Sequence, residues 1–96
     1  MKHVIISPRA RREIERIDSR WVKNRPAATD LFYSEFREIV DLLRHQPYLG
    51  HIYPPKDGVR RILLRASQYH VYYEIDSNHV AILSVWSAVR GRGPKL

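Results

Sequence analysis

The sequence contains no cysteine. That absence excludes a disulfide framework and thiol-based zinc or redox chemistry, and it fits a cytoplasmic protein. No run approaches the roughly eighteen apolar residues of a membrane span. The opening Met1 to Ile6 is interrupted by Ser7-Pro8 too soon for a signal peptide. No internal repeat or low-complexity segment is present. His3, His45, His51 and His79 lie in separate segments without acidic residues at ligand spacing, so neither a metal nor another cofactor is expected. Lysine is also scarce, confined to Lys2, Lys23, Lys56 and Lys95.

What is there is arginine. Lys and Arg together number 17 against 10 Asp and Glu, a net charge of +7 in 96 residues. Arginine forks match phosphate and carboxylate oxygens bidentately, whereas lysine serves solubility equally well. A small basic domain of this kind meets nucleic acid, an acidic protein or anionic lipid. The apolar fraction of 44% is that of a folded globular chain, and the length allows one domain, residues 1–96.

Val4-Ile5-Ile6 reads as a short β-branched strand. Ser7 and Pro8 then supply an N-cap and a first helical position, where proline's missing donor costs nothing. Ala10, Ile14, Ile17 and Trp21 recur at helical spacing and mark a core face. Arg9, Arg12, Arg16, Arg20 and Lys23 form a second stripe, either a solvated outer face or a basic surface for a partner. Asn24-Arg25-Pro26 breaks the pattern. A second helix carries Ala28, Phe32, Phe36, Ile39 and Leu43 and ends near Gln46, because Pro47 disfavours helix before it.

Tyr48 to Gly58 reads as a loop. Arg60–Arg65, Tyr69–Ile75 and Val80–Trp86 then read as antiparallel strands joined by short polar connectors. On the middle strand Tyr69, Val71, Tyr73 and Ile75 share one face, and His70, Tyr72 and Glu74 the other. Arg61 and Arg65 at alternate positions line a solvated sheet face with Glu74 as an ion-pair partner, unless they carry chemistry. The expected fold class is α+β: an N-terminal short strand and a helical hairpin packed on a small, mostly antiparallel sheet. Residues 87–96 form a basic tail, with Arg90, Arg92 and Lys95 on a mobile or loosely docked arm suited to an anionic or grooved partner.

Taken in order, these segments carry a likeness. Ser7-Pro8-Arg9-Ala10 leads into Glu13-Ile14, Ile17 and Trp21; Leu42-Leu43-Arg44-His45-Gln46-Pro47 precedes Gly50. Val59-Arg60-Arg61-Ile62-Leu63-Leu64, Tyr69-His70-Val71-Tyr72-Tyr73-Glu74 and Ile82-Leu83-Ser84-Val85-Trp86 follow. Together they resemble the RelE/ParE superfamily of toxins from bacterial type II toxin–antitoxin systems, over nearly the whole chain. The resemblance implies a toxin masked by a cognate antitoxin, with a homodimer possible and no membrane partner. It implies one of two targets: DNA gyrase for ParE-like members, which poison it without catalysis, or the ribosome and its mRNA for RelE-like endoribonucleases.

A metal-independent nuclease needs cations for the developing phosphorane charge and an acid–base pair for the 2′-hydroxyl and leaving oxygen. The resemblance makes Arg61, Arg65, His70 and Tyr72 the candidates, with Lys56 as further charge. The Tyr or His that RelE-like members carry near the C-terminus is absent: neither follows Trp86. The expected reading is therefore the ParE-like one, with Trp86, Arg90, Arg92 and Lys95 contacting gyrase. A plain basic binding module is the remaining class, and an antitoxin gene alongside would separate it from the toxins.

Overall fold

The computed structural model describes residues 1–96. The order is β1 (His3–Ile6), α1 (Pro8–Asn24), α2 (Leu31–His45), β2 (His51–Ile52), β3 (Val59–Leu64), β4 (Tyr69–Ile75) and β5 (His79–Ser87). One sheet runs β1-β5-β4-β3-β2. Its first pair is parallel and the others antiparallel, so the expected α+β arrangement holds.

The α1 start is built as its residues dictate. Ser7 is extended and its hydroxyl accepts from the Ala10 amide at 3.0 Å, with Pro8 opening the helix. Ala10, Ile14, Ile17 and Trp21 are buried and meet Phe32, Phe36 and Leu43 of α2 over Tyr69, Val71, Tyr73, Val80, Ile82 and Val85 of the sheet. This is the hydrophobic core, and it lies on one face of the sheet only. No helix is long and apolar enough to cross a membrane.

Three local expectations, for the loop, Ala28 and Glu74, need correction. The loop from Tyr48 to Gly58 contains β2, which pairs His51 with Arg61 and Ile52 with Arg60. A two-residue strand is too short to show a sequence period. Ala28 precedes α2 rather than lying on it. Tyr72 points away from the helices yet is only 1% exposed, because Tyr53 packs edge-on against it at 4.9 Å and Gly93 of the tail lies against its hydroxyl. Glu74 pairs with neither Arg61 nor Arg65; it stands opposite Val59, and the ion pairs are Arg9–Glu13 and Asp76–His79.

A bulge sets the geometry of β5. Tyr72 pairs with Ser84 but Tyr73 with Ile82, leaving Leu83 as the extra residue. Beyond that point β1 has ended at its Ile6–Ile82 pair. Glu13 of α1 serves the uncovered stretch instead: its buried carboxylate accepts from Ser84 Oγ at 2.9 Å and from the Val85 amide at 3.1 Å. Glu35 of α2 does the same for the β3–β4 turn, accepting from the Ala66 and Ser67 amides and from Ser67 Oγ. The second half of β5 is thus fixed by a helix rather than by a strand.

Candidate functional site

On the sheet face away from the core, register brings the sequence candidates together. Arg61 stands opposite Tyr72 across β3–β4, and His70 stands opposite Trp86 across β4–β5. Side chains directly opposite share a face, so Arg61, Tyr72, His70 and Trp86 form one surface. The chain leaving β5 folds back over it. The resulting cleft holds about 250 Å³ and is lined by Arg61, His70, Tyr72, Ser87, Ala88, Arg90, Gly91, Arg92 and Gly93.

Of the two states expected for the tail, mobile or loosely docked, the structure holds it docked. Trp86 Nε1 donates to the Arg92 carbonyl at 2.9 Å, and the Arg90 guanidinium lies over the Trp86 ring at 4.5 Å. The Arg9 guanidinium donates to the Lys95 carbonyl, and Pro94 is buried. Gly93 passes so close to Tyr53 that a Cβ there would sit 2.6 Å from its hydroxyl. A side chain here would have to displace the Tyr53 hydroxyl, while the backbone angle itself is ordinary. Trp86 itself is half-buried and lies outside the main core cluster.

Behind the cleft the groups support one another. Arg61 lies over the Tyr53 ring at 5.3 Å and reaches toward the Tyr72 hydroxyl at 3.5 Å, the outer limit of a hydrogen bond. His70 meets Tyr72 edge-on at 6.0 Å. Burial, and secondarily the Arg61 cation, hold the His70 imidazole below its ordinary range, which favours the neutral form. A neutral imidazole beside a guanidinium is a competent proton acceptor, but Tyr72 is sealed beneath Tyr53 and the tail.

Other candidates are not part of this cleft. Arg65 lies past the end of β3, exposed, and lines a separate apolar groove of about 390 Å³ with Glu38, Ile39, Leu42, Leu49 and Leu63. Lys56 lines a third cleft with Arg9 and Glu74. Lys95 contributes its carbonyl rather than its ammonium to the tail's attachment. Tyr53 was hidden in the loop by its neighbours Pro54 and Pro55; the usable signal was an aromatic residue in a segment returning to an arginine-bearing strand.

The molecule is a small α+β protein whose sheet ends in a cationic cleft closed by its own C-terminus. A family model, ParE toxin of the type II toxin–antitoxin system parDE, matches residues 4–91, and the chain belongs to that family. Among solved structures, a chain from the chromosomal ParDE toxin–antitoxin system of P. aeruginosa is similar in fold, with a TM-score of 0.76. It is 18% identical, and the match covers 91% of this chain and 96% of that one. No curated protein matches the sequence. The family match ends at Gly91, so residues 92–96 lie beyond it.

Proposed function

We propose that this toxin arrests growth by binding DNA gyrase and stalling it on cleaved DNA, and that a cognate antitoxin neutralises it. The observation that carries the reading is a ParE fold that lacks a placed acid–base pair. The match runs over residues 4–91, Tyr72 is 1% exposed, and residues 87–96 include no Tyr or His. Arg61 and His70 supply charge and one proton acceptor, but an exposed acid for the leaving oxygen has no candidate beside them. Binding through Arg90, Arg92 and the Trp86 platform needs no such group.

The antitoxin reading rests on family membership and on a second surface. Leu42 and Leu49, 44% and 41% exposed, line the groove between α2 and the β3–β2 edge, and Ile52 of β2 is 69% exposed. An amphipathic segment that orders on binding buries such side chains.

Pulse labelling of DNA and protein synthesis after tight induction tests the target. An immediate fall in DNA synthesis with translation sustained is the expected result. Translation collapsing first would place the target at the ribosome and return Arg61, His70 and Tyr72 to a nuclease role. Purified gyrase that keeps supercoiling in a large molar excess of active toxin would remove gyrase from the proposal.

A further inference from the structure

The cleft under the tail continues past β5. Two adjoining clefts, of about 140 and 520 Å³, meet it at Ser87, a wall shared by all three. They run along the flank of α1 to its C-terminal end. β1 ends at Ile6, opposite Ile82, so beyond that pair the edge of β5 is flanked by α1 rather than by a strand. One furrow therefore passes from the sheet face round to the helix.

Six arginines line it: Arg25, Arg20, Arg16, Arg90, Arg92 and Arg61. Its single carboxylate is Glu13, already committed to Arg9, Ser84 and Val85. None of the six makes an ion pair. Gathering unpaired cations along one concave path raises the energy of the free protein, and an anion relieves it.

Both tryptophans of the chain hold arginines in place along this path. Arg25 lies over Trp21 at 5.2 Å and Arg90 over Trp86 at 4.5 Å. Stacking fixes the guanidinium plane and leaves its N–H fork free to grip an oxyanion bidentately. Arg16 and Arg20 stand one helical turn apart, about 6 Å along the axis. The furrow thus offers a row of forks rather than one pocket.

We infer that this furrow binds the phosphodiester backbone of nucleic acid directly, without reading its sequence. An acidic protein is the other polyanion to weigh, but protein partners draw affinity from buried apolar anchors. In the furrow Trp21 and Tyr69 are buried in the core and Trp86 is roofed by Arg90. The exposed Leu42 and Leu49 of the α2 groove lie on another surface. The apolar surface suited to the antitoxin and the phosphate-binding furrow are therefore segregated. The inference stands apart from the gyrase reading, because its test contains no gyrase.

The test is fluorescence anisotropy on the full chain with one labelled 20-nucleotide sequence, prepared as single-stranded DNA, duplex DNA and RNA, over a salt series. Saturable binding at low salt is expected, weakening linearly in log–log form, with the slope reduced by about one for each phosphate-contacting arginine removed. Arg20→Gln with Arg90→Gln should cost tenfold or more at about 0.1 M salt. Arg11→Gln with Arg37→Gln, which changes exposed arginines off the furrow by the same charge, should cost less than threefold. Thermal melts and circular dichroism establish that both variants are folded. Comparable affinity for DNA and RNA assigns recognition to the phosphates; a tenfold preference for one names that acid as the ligand. Equal losses in the two variants would overturn the inference, as would no saturable binding at low salt. So would polyglutamate of matched charge binding as tightly as the oligonucleotides.

Discussion

Removing Gly91 to Leu96 separates the tail's function from its structural part. The native tail gives up two attachments, Trp86 Nε1 to the Arg92 carbonyl and the Arg9 guanidinium to the Lys95 carbonyl. A neutral hydrogen bond contributes about 0.5–1.5 kcal/mol and one to a charged group about 1.5–3 kcal/mol. Burial of Pro94 and of the covered faces of Tyr53 and Tyr72 adds roughly 2–3 kcal/mol. Against this, releasing six ordered residues returns about 1 kcal/mol of backbone entropy each. The terms nearly cancel, so the truncated protein should lose no more than about 2 kcal/mol. At about 4–8 °C per kcal/mol for a domain of this size, Tm should fall by less than about 16 °C. Colony counts after induction should recover at least a hundredfold while circular dichroism stays native. A truncated chain that keeps its fold and still kills would refute the tail as part of the contact surface. One that fails to fold would show that the offsetting terms are misjudged and that the tail is a structural strap.

Glu13→Ala should destabilise by about 2–4 kcal/mol in urea unfolding, because the Val85 amide is left buried without an acceptor, whereas Ser84→Ala should cost only about 1 kcal/mol. Equal losses would mean that the hydroxyl, not the amide, is the group that needs the carboxylate. Gly50→Ala places a Cβ 2.7 Å from the Tyr73 hydroxyl and 2.8 Å from the Arg61 carbonyl. It should displace the bonds that hydroxyl makes with Gly50 and Pro47, costing about 2–4 kcal/mol; a variant melting like the parent would refute the fit. The His70 shift sets a pH dependence. Its folded-state pKa lies below the ordinary value of 6.5, so its contribution is complete above that value and is lost as pH falls through the lowered one. Tm measured from pH 7.5 to 5, conditions chosen to span about a unit or more around that value, should decline less steeply in His70→Gln than in the parent. Parallel curves would refute the assignment.

The helices and main strands were legible because their side chains carry a period. Ala10, Ile14, Ile17 and Trp21 fall on one helical face and are buried there, and Ser7-Pro8 begins α1 as its chemistry requires. The cleft was half legible. Alternation put His70 and Tyr72 on one face, and antiparallel pairing then set Arg61 opposite Tyr72. What could not be read was which parts of the chain return to cover that face. Tyr53 and Gly93 reach Tyr72 from segments without a period, and the Leu83 bulge shifts the β5 register where both faces are apolar. The Ala66-Ser67-Gln68 turn was placed correctly, but not its strain. Gln68 takes a left-handed φ of 66° without being glycine, held by the three hydrogen bonds that the neighbouring Ala66 and Ser67 give to Glu35.

The charge imbalance acquires a structural meaning from where the carboxylates go. Glu13 and Glu35 are turned inward, each accepting backbone amides that no strand reaches, and Asp76 closes its own turn by accepting from the Asn78 and His79 amides. Carboxylates used as acceptors for backbone donors neutralise little of the outer surface, so the arginines around Ser87 keep their full field. Folding and binding therefore draw on different charges at these places: Glu13, Glu35 and Asp76 hold a helix and two turns to the sheet, while six arginines line the furrow. Exchanging Glu13 for a neutral acceptor and exchanging Arg20 for glutamine should then separate cleanly. The first lowers Tm and leaves the salt slope of oligonucleotide binding unchanged; the second lowers the slope and leaves Tm unchanged. A single substitution that moved both would show that the furrow and the α1–β5 joint are one coupled element, and the division of charge argued from these contacts would fail.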